Sequence, residues 1–186
     1  MAIYQFLTYV IPKKGLIQKL GEIPAELEIK HSEWEKFWEN FTGDIDDDIE
    51  PEFEDARTIK WWKYEKIEIQ KLRAEIDKII PRSNWSNNSW KIENSKIDHD
   101  LEIDWNEKRH YIEEFQFRTD LTDTSLKFLN SMLKLCIENE WILMDENGRL
   151  CEPKMEDLIE FIKGSNPDRF LRNPIGFLDH LSKDKE

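Results

Sequence analysis

Carboxylates are the groups in this chain most able to do chemistry, and they gather in two places. Between Gly43 and Asp55, eight residues are acidic. Asp44, Asp46 and Asp48 fall at positions 1, 3 and 5 of an EF-hand loop. Ile49, however, stands at position 6, where glycine is needed, and Asp55 stands at position 12, where a bidentate Glu is expected. The stretch Asp44, Asp46, Asp47, Asp48, Glu50 and Glu52 therefore reads as a self-repelling loop, either simply solvated or a docking site for a basic partner. The second gathering is a strand face. Asp100, Glu102 and Asp104 alternate with apolar residues, and a return strand sets Tyr111 and Glu113 beside them. Such a face steers a basic partner by electrostatics; the plainer alternative is an ordinary solvated sheet.

Other chemistries lack their residues. The histidines His31, His99, His110 and His180 have no metal-ligand spacing, HExxH is absent, and satisfied surface histidines are the expectation. GxSxG, Walker and GxGxxG motifs are missing, and six glycines are few for phosphate-cradling loops. Glu28-Ile29-Lys30 matches the ExK fragment of metal-dependent nucleases. A formal charge of −13 opposes that reading, because nucleic-acid binders neutralise phosphates with basic groups. The same charge opposes anionic membrane surfaces. Cys136 and Cys151 form no CxxC and no disulfide framework. The N-terminal stretch lacks a positive n-region and a cleavage site, and no apolar run reaches the roughly 20 residues of a membrane span. A cytoplasmic protein without cofactor or metal is the expectation. A hydrolase built on two carboxylates stays open, since its spacing is set by the fold.

The elements that position the acids start with a hairpin. His99 to Trp105 alternates strictly, with Leu101, Ile103 and Trp105 on the apolar side. Asn106 to Arg109 is the turn, and His110 to Thr119 returns. Pairing Trp105 with His110 sets Ile103 against Ile112 but Leu101 against Glu114. One extra residue at Glu113-Glu114 brings Phe115 opposite Leu101, which predicts a β-bulge. A Glu pair at a wet sheet end is the alternative. Thr122 or Thr124 is the predicted N-cap of a helix burying Leu126, Leu129, Met132, Leu133, Cys136 and Ile137. Trp141 to Met144 is a strand, Asp145 to Gly148 a turn, and Arg149 to Cys151 its return.

Elsewhere, Ile3 to Ile11 reads as a central strand stopped by Pro12, and Lys13-Lys14-Gly15 as a turn. Ser32 opens a helix whose Trp34, Phe37, Trp38 and Phe41 share one side, expected to pack in the core, with a partner-binding aromatic stripe as the alternative. Residues 65–80 read as a helix, Trp85 sits in a polar loop, and Trp90 to Glu93 is a strand meeting the hairpin. Pro153 is placed at N1 of a helix ending at Gly164. Asn166-Pro167 and Asn173-Pro174 each look like an N-cap followed by an N1 proline.

The fold class expected is α+β: a mainly antiparallel sheet, helices packed on one face, and additional C-terminal helices. A single domain spans 1–186, with an acidic loop at 43–55 and a frayed tail at 182–186. Trp61-Trp62, Ile79-Ile80-Pro81-Arg82-Ser83, Trp85-Ser86, Asp145-Glu146-Asn147-Gly148-Arg149, Glu152-Pro153, Arg169-Phe170, Pro174 and Phe177-Leu178 together resemble a group of small bacterial proteins. That group is similar to the immunity proteins of bacterial toxin systems. The resemblance implies a small acidic cytoplasmic α+β protein that binds and blocks a cognate toxin, and it carries over no site residue. The net charge, the acidic loop and strand face and the missing catalytic motifs add the expectation of a basic toxin and a non-enzymatic inhibitor. The alternatives are a carboxylate-dependent hydrolase and a structural or regulatory homo-oligomeric subunit, with the oligomeric state left open.

Overall fold

The computed structural model describes residues 4–41, 51–92 and 97–177. Six strands form one sheet: β1 (Gln5–Pro12), β2 (Ser89–Lys91), β3 (Asp100–Asn106), β4 (Tyr111–Asp120), β5 (Trp141–Met144) and β6 (Leu150–Cys151). Their spatial order is β2-β3-β4-β1-β5-β6, and every pairing is antiparallel. β1 is apolar on both faces and is buried along nearly its whole length, as a central strand requires. The α+β class follows from this sheet and the helices laid against it.

Ladder partners share a face, so the register divides the side chains. One face carries Trp90, Leu101, Ile103, Ile112, Phe115, Phe117, Val10 and Leu143. Helix α4 (Lys127–Glu138) covers part of it, with Phe128 edge-on to Phe117 at 6.0 Å. Trp62, from the 3-10 turn Trp61–Tyr64, packs against Phe115 at 6.0 Å and Trp141 at 5.1 Å. Helix α3 (Ile69–Ile76) adds Leu72 and Ile76 to the same core.

The opposite face is split. Its β1–β5–β6 half is apolar, and Ala56, Ile59 and Trp61 lie against Tyr9, Ile11 and Met144. Its β3–β4 half is polar: Asp100, Glu102, Asp104, Glu114, Gln116 and Arg118. Both outer strands are capped by extended chain. Leu150 N–H donates to Ala25 O at 2.8 Å beyond β6, and Lys91 N–H donates to Pro81 O at 3.0 Å beyond β2. An extended segment thus lies beside each outer strand.

Several local expectations shift for physical reasons. Lys13-Lys14-Gly15 is the first turn of helix α1 (Lys13–Leu20), which follows β1 directly. Gly15 is required because a Cβ there would lie 2.3 Å from Trp61 O. The predicted helix 65–80 contracts to Ile69–Ile76, with Ile80 buried just beyond it. Neither Thr122 nor Thr124 caps α4. Its N-cap is Leu126 at φ 54°, while the Thr122 hydroxyl donates to Asp120 Oδ1 at 2.6 Å. The buried stripe of α4 is rotated toward Phe128 and Leu135, leaving Leu126 and Ile137 exposed.

Helix α5 (Met155–Ile162) has Lys154 as N-cap, so Pro153 precedes the helix, and Gly164 follows it at φ 77°. Helix α6 (Asn166–Arg172) is capped by Ser165, and Asn166 is its first residue. Asn173 does cap the next turn, accepting from Gly176 N–H at 3.1 Å. The tail at 182–186 lies outside the described residues. No helix among the described residues is long and apolar enough to cross a membrane.

Candidate functional site

The site is created by an irregularity. β3 and β4 pair as Asp104↔Glu114 and then Trp105↔Ile112, so Glu113 is the extra residue of a β-bulge. The bulge falls where the sequence puts it, but the register differs by two: Trp105 faces Ile112 and Leu101 faces Phe117. The hairpin loop sets the difference. Asn106 Oδ1 accepts the N–H groups of Lys108 and Arg109, which builds a loop over 107–110 with His110 at φ 54°. A bulge breaks the alternation of the strand. Glu113 therefore joins Glu114 on the acidic face, where its carboxylate accepts from Asn106 Nδ2 at 2.6 Å.

Beside this pair opens a concavity of about 410 Å³. Asp104, Glu113 and Glu114 line one side; Trp34, Phe53 and Glu52 line the other, with Arg57 and Lys60 between. Trp34 belongs to helix α2 (His31–Asn40), which buries no residue. The expected core stripe is instead a partly exposed ring cluster. Trp34 meets Phe53 edge-on at 5.1 Å, Trp38 packs on Phe37 and Phe41 at 5.0 and 5.6 Å, and Trp38 is 61% exposed. Asp55 moors the cluster. Buried itself, it accepts from Trp34 Nε1 at 2.6 Å and Lys30 N–H at 3.1 Å, while its other oxygen accepts from Arg57 N–H.

The electrostatics of the two glutamates diverge. Burial pushes the Glu114 carboxyl up to about 7, and the nearby Asp104 and Glu102 carboxylates add to the rise. Arg57 and Lys60 draw the value back down, but by less than burial and the acids raise it. Burial also raises Glu113, but the Asn106 hydrogen bond and the Lys60 ammonium, at 3.3 Å, outweigh it and hold it below the usual range. Arg57 is directed elsewhere, donating to Glu146 O at 2.9 Å and lying over the Tyr9 ring.

The expected site residues separate. Asp44, Asp46, Asp47, Asp48 and Glu50 lie outside the described residues. Glu52 is exposed at the rim of the concavity, and Glu102 and Asp104 are exposed on the sheet. Asp100 is engaged: Arg118 Nη1 donates to it at 3.3 Å and Gln5 Nε2 at 3.1 Å. Tyr111 pairs with Asn106 on this face and accepts from Arg109 at 3.0 Å. Missing from the sequence reading are Glu114 as a site residue, Arg57, Lys60 and Phe53. The break in alternation at Glu113-Glu114 was the signal for the first.

Elsewhere, His99 is buried rather than at the surface, between Asp123 and Phe128. Burial pushes both thiols up, that of Cys151 to about 12, so neither supplies a thiolate at neutral pH. Among the described residues no group of three or more His, Cys, Asp or Glu could hold a metal ion. Compared with known proteins, the chain matches no family model, no curated protein and no solved structure.

Proposed function

We propose that this chain is a non-enzymatic binding protein, an immunity-type inhibitor that neutralises a basic toxin by covering its site. One observation carries the reading. The acidic half of a sheet face, with Glu102 and Asp104 exposed, borders a concavity whose far wall is aromatic. Acidic rims speed the approach of a basic partner, and partly exposed aromatic rings supply the contact area that holds it. The net charge of −13 extends the attraction beyond the contact itself. The test is capture of the partner from native lysate at low salt, followed by association kinetics. A single basic protein held near one-to-one is expected, with slower and less salt-sensitive association to the Glu102→Gln/Asp104→Asn variant. Recovery of no basic protein, or of one indifferent to that variant, overturns the reading.

A second reading has its own observation. Glu113 and Glu114 line one concavity with acidities displaced in opposite directions, the pattern by which two carboxyl groups divide acid and base work. A carboxylate-dependent hydrolase would show turnover of chromogenic glycosides that Glu114→Gln abolishes. No turnover across such a panel counts against it.

A further inference from the structure

We infer that the concavity between Phe53 and the Glu113–Glu114 bulge is a recognition slot for one arginine side chain of the basic partner. The inference rests on the basic-partner reading and narrows it to a chemical group. The slot offers two unlike walls. On one side Trp34 and Phe53 present rings set edge to face at 5.1 Å; on the other Asp104 and Glu114 face each other across the β3–β4 ladder. A guanidinium is flat and weakly hydrated, so it stacks on a ring while its fork of N–H groups meets carboxylates. An ammonium makes the second contact well and the first poorly.

The neighbouring cations have partners of their own, and both also act on Glu114. Lys60 is held by Glu113 at 3.3 Å, and Arg57 is held by Glu146 O and the Tyr9 ring. Burial, with the Asp104 and Glu102 carboxylates adding to it, raises the Glu114 carboxyl to about 7, and an incoming guanidinium beside these acids offsets their mutual repulsion. Glu52 is exposed beside Phe53 at the mouth, next to Glu54, which is paired with Lys19 at 3.0 Å.

The test uses the full chain and three probes: the N-acetyl methylamides of arginine, lysine and citrulline, followed by nitrogen–proton correlation spectra. The arginine probe is expected to shift the Trp34 indole and the Phe53 and Glu114 amides saturably. Lysine binds about threefold to tenfold more weakly there, and neutral citrulline leaves them unmoved. Glu114→Gln and Phe53→Ala, each checked for an unchanged fold by circular dichroism, weaken the arginine response by about fivefold or more. Equal responses to arginine and citrulline overturn the slot, as do equal responses to arginine and lysine that neither variant alters. A lysine-only peptide separates the two levels of inference. If it binds at the Glu102 face while arginine misses the slot, the slot alone fails. If neither it nor an arginine-rich peptide binds, the slot and the basic-partner reading fail together.

Discussion

Glu114 stands directly opposite Asp104 in the β3–β4 ladder, a carboxyl facing a carboxylate one step beyond the bulge. Like charges directly across a ladder destabilise it, and Glu114 is also drawn partly out of water. The fold therefore holds this group's proton more tightly than the unfolded chain does.

The sign of the pH effect follows. The folded-state pKa is about 7 and the ordinary value 4.5. The protonated group's contribution is complete below pH 4.5 and is lost as pH rises through 7. Glu114→Gln keeps the neutral form at every pH. At about pH 8 the variant should be more stable than the parent by roughly 1–3 kcal/mol, and near pH 4 the two should agree. Urea unfolding at several pH values measures this. Parallel stability profiles would show that the group is not displaced.

The ladder faces and the bulge were legible because strand alternation is a local signal: Leu101, Ile103 and Trp105 alternate with acids, and Glu113-Glu114 interrupts the return strand. The register was not, because it depends on a loop built by the Asn106 side chain. The ring wall was misread for a different reason. Trp34, Phe37, Trp38 and Phe41 have the spacing of a core helix whether the rings meet the core or one another, and periodicity reports a face without saying what covers it. Phe53 and Asp55, which gather those rings, lie at the end of the acidic run and have no periodic relation to them.

His99 makes a second prediction. Its Nδ1 accepts the N–H of Asp120 at 3.0 Å, so the ring proton must sit on Nε2, which donates to Asp123 at 3.1 Å. Nitrogen–proton spectra of the imidazole should show the Nε2–H tautomer at neutral pH; an Nδ1–H tautomer would contradict the hydrogen-bond assignment. Asp123→Asn should cost about 1–3 kcal/mol, the range for a disrupted buried hydrogen bond. The Asp123 carboxyl is itself held below the ordinary range. Burial raises it, and the Ser125 and His99 hydrogen bonds outweigh that rise. Its stabilising contribution is present above the unfolded-state pKa and is lost as pH falls through the lower folded value.

Thr8 makes the third. Its hydroxyl is buried in the middle of β1, and among the described residues it has no hydrogen-bond partner. A buried hydroxyl without a partner carries a desolvation cost and gains nothing in return. Thr8→Val has nearly the same shape and also suits a strand, so it should raise stability by about 1 kcal/mol. A lowered melting temperature would mean that the hydroxyl is satisfied, for example by a bound water.

The last prediction separates two tryptophans that composition alone cannot tell apart. Trp62 is 1% exposed and wedged between Phe115 and Trp141; Trp38 is 61% exposed, and among the described residues its ring contacts are to Trp34, Phe37 and Phe41. Removing the first leaves a cavity at the centre of the core, so Trp62→Ala should cost about 3–5 kcal/mol. Removing the second exposes little that was dry, so Trp38→Ala should change stability by no more than about 0.5 kcal/mol. Denaturant midpoints measured on both variants decide it. If Trp38→Ala destabilises as much as Trp62→Ala, α2 is part of the core and the aromatic wall is not a surface open to a partner. If stability is unchanged while partner capture is lost, the energetic role of those rings lies in binding rather than folding.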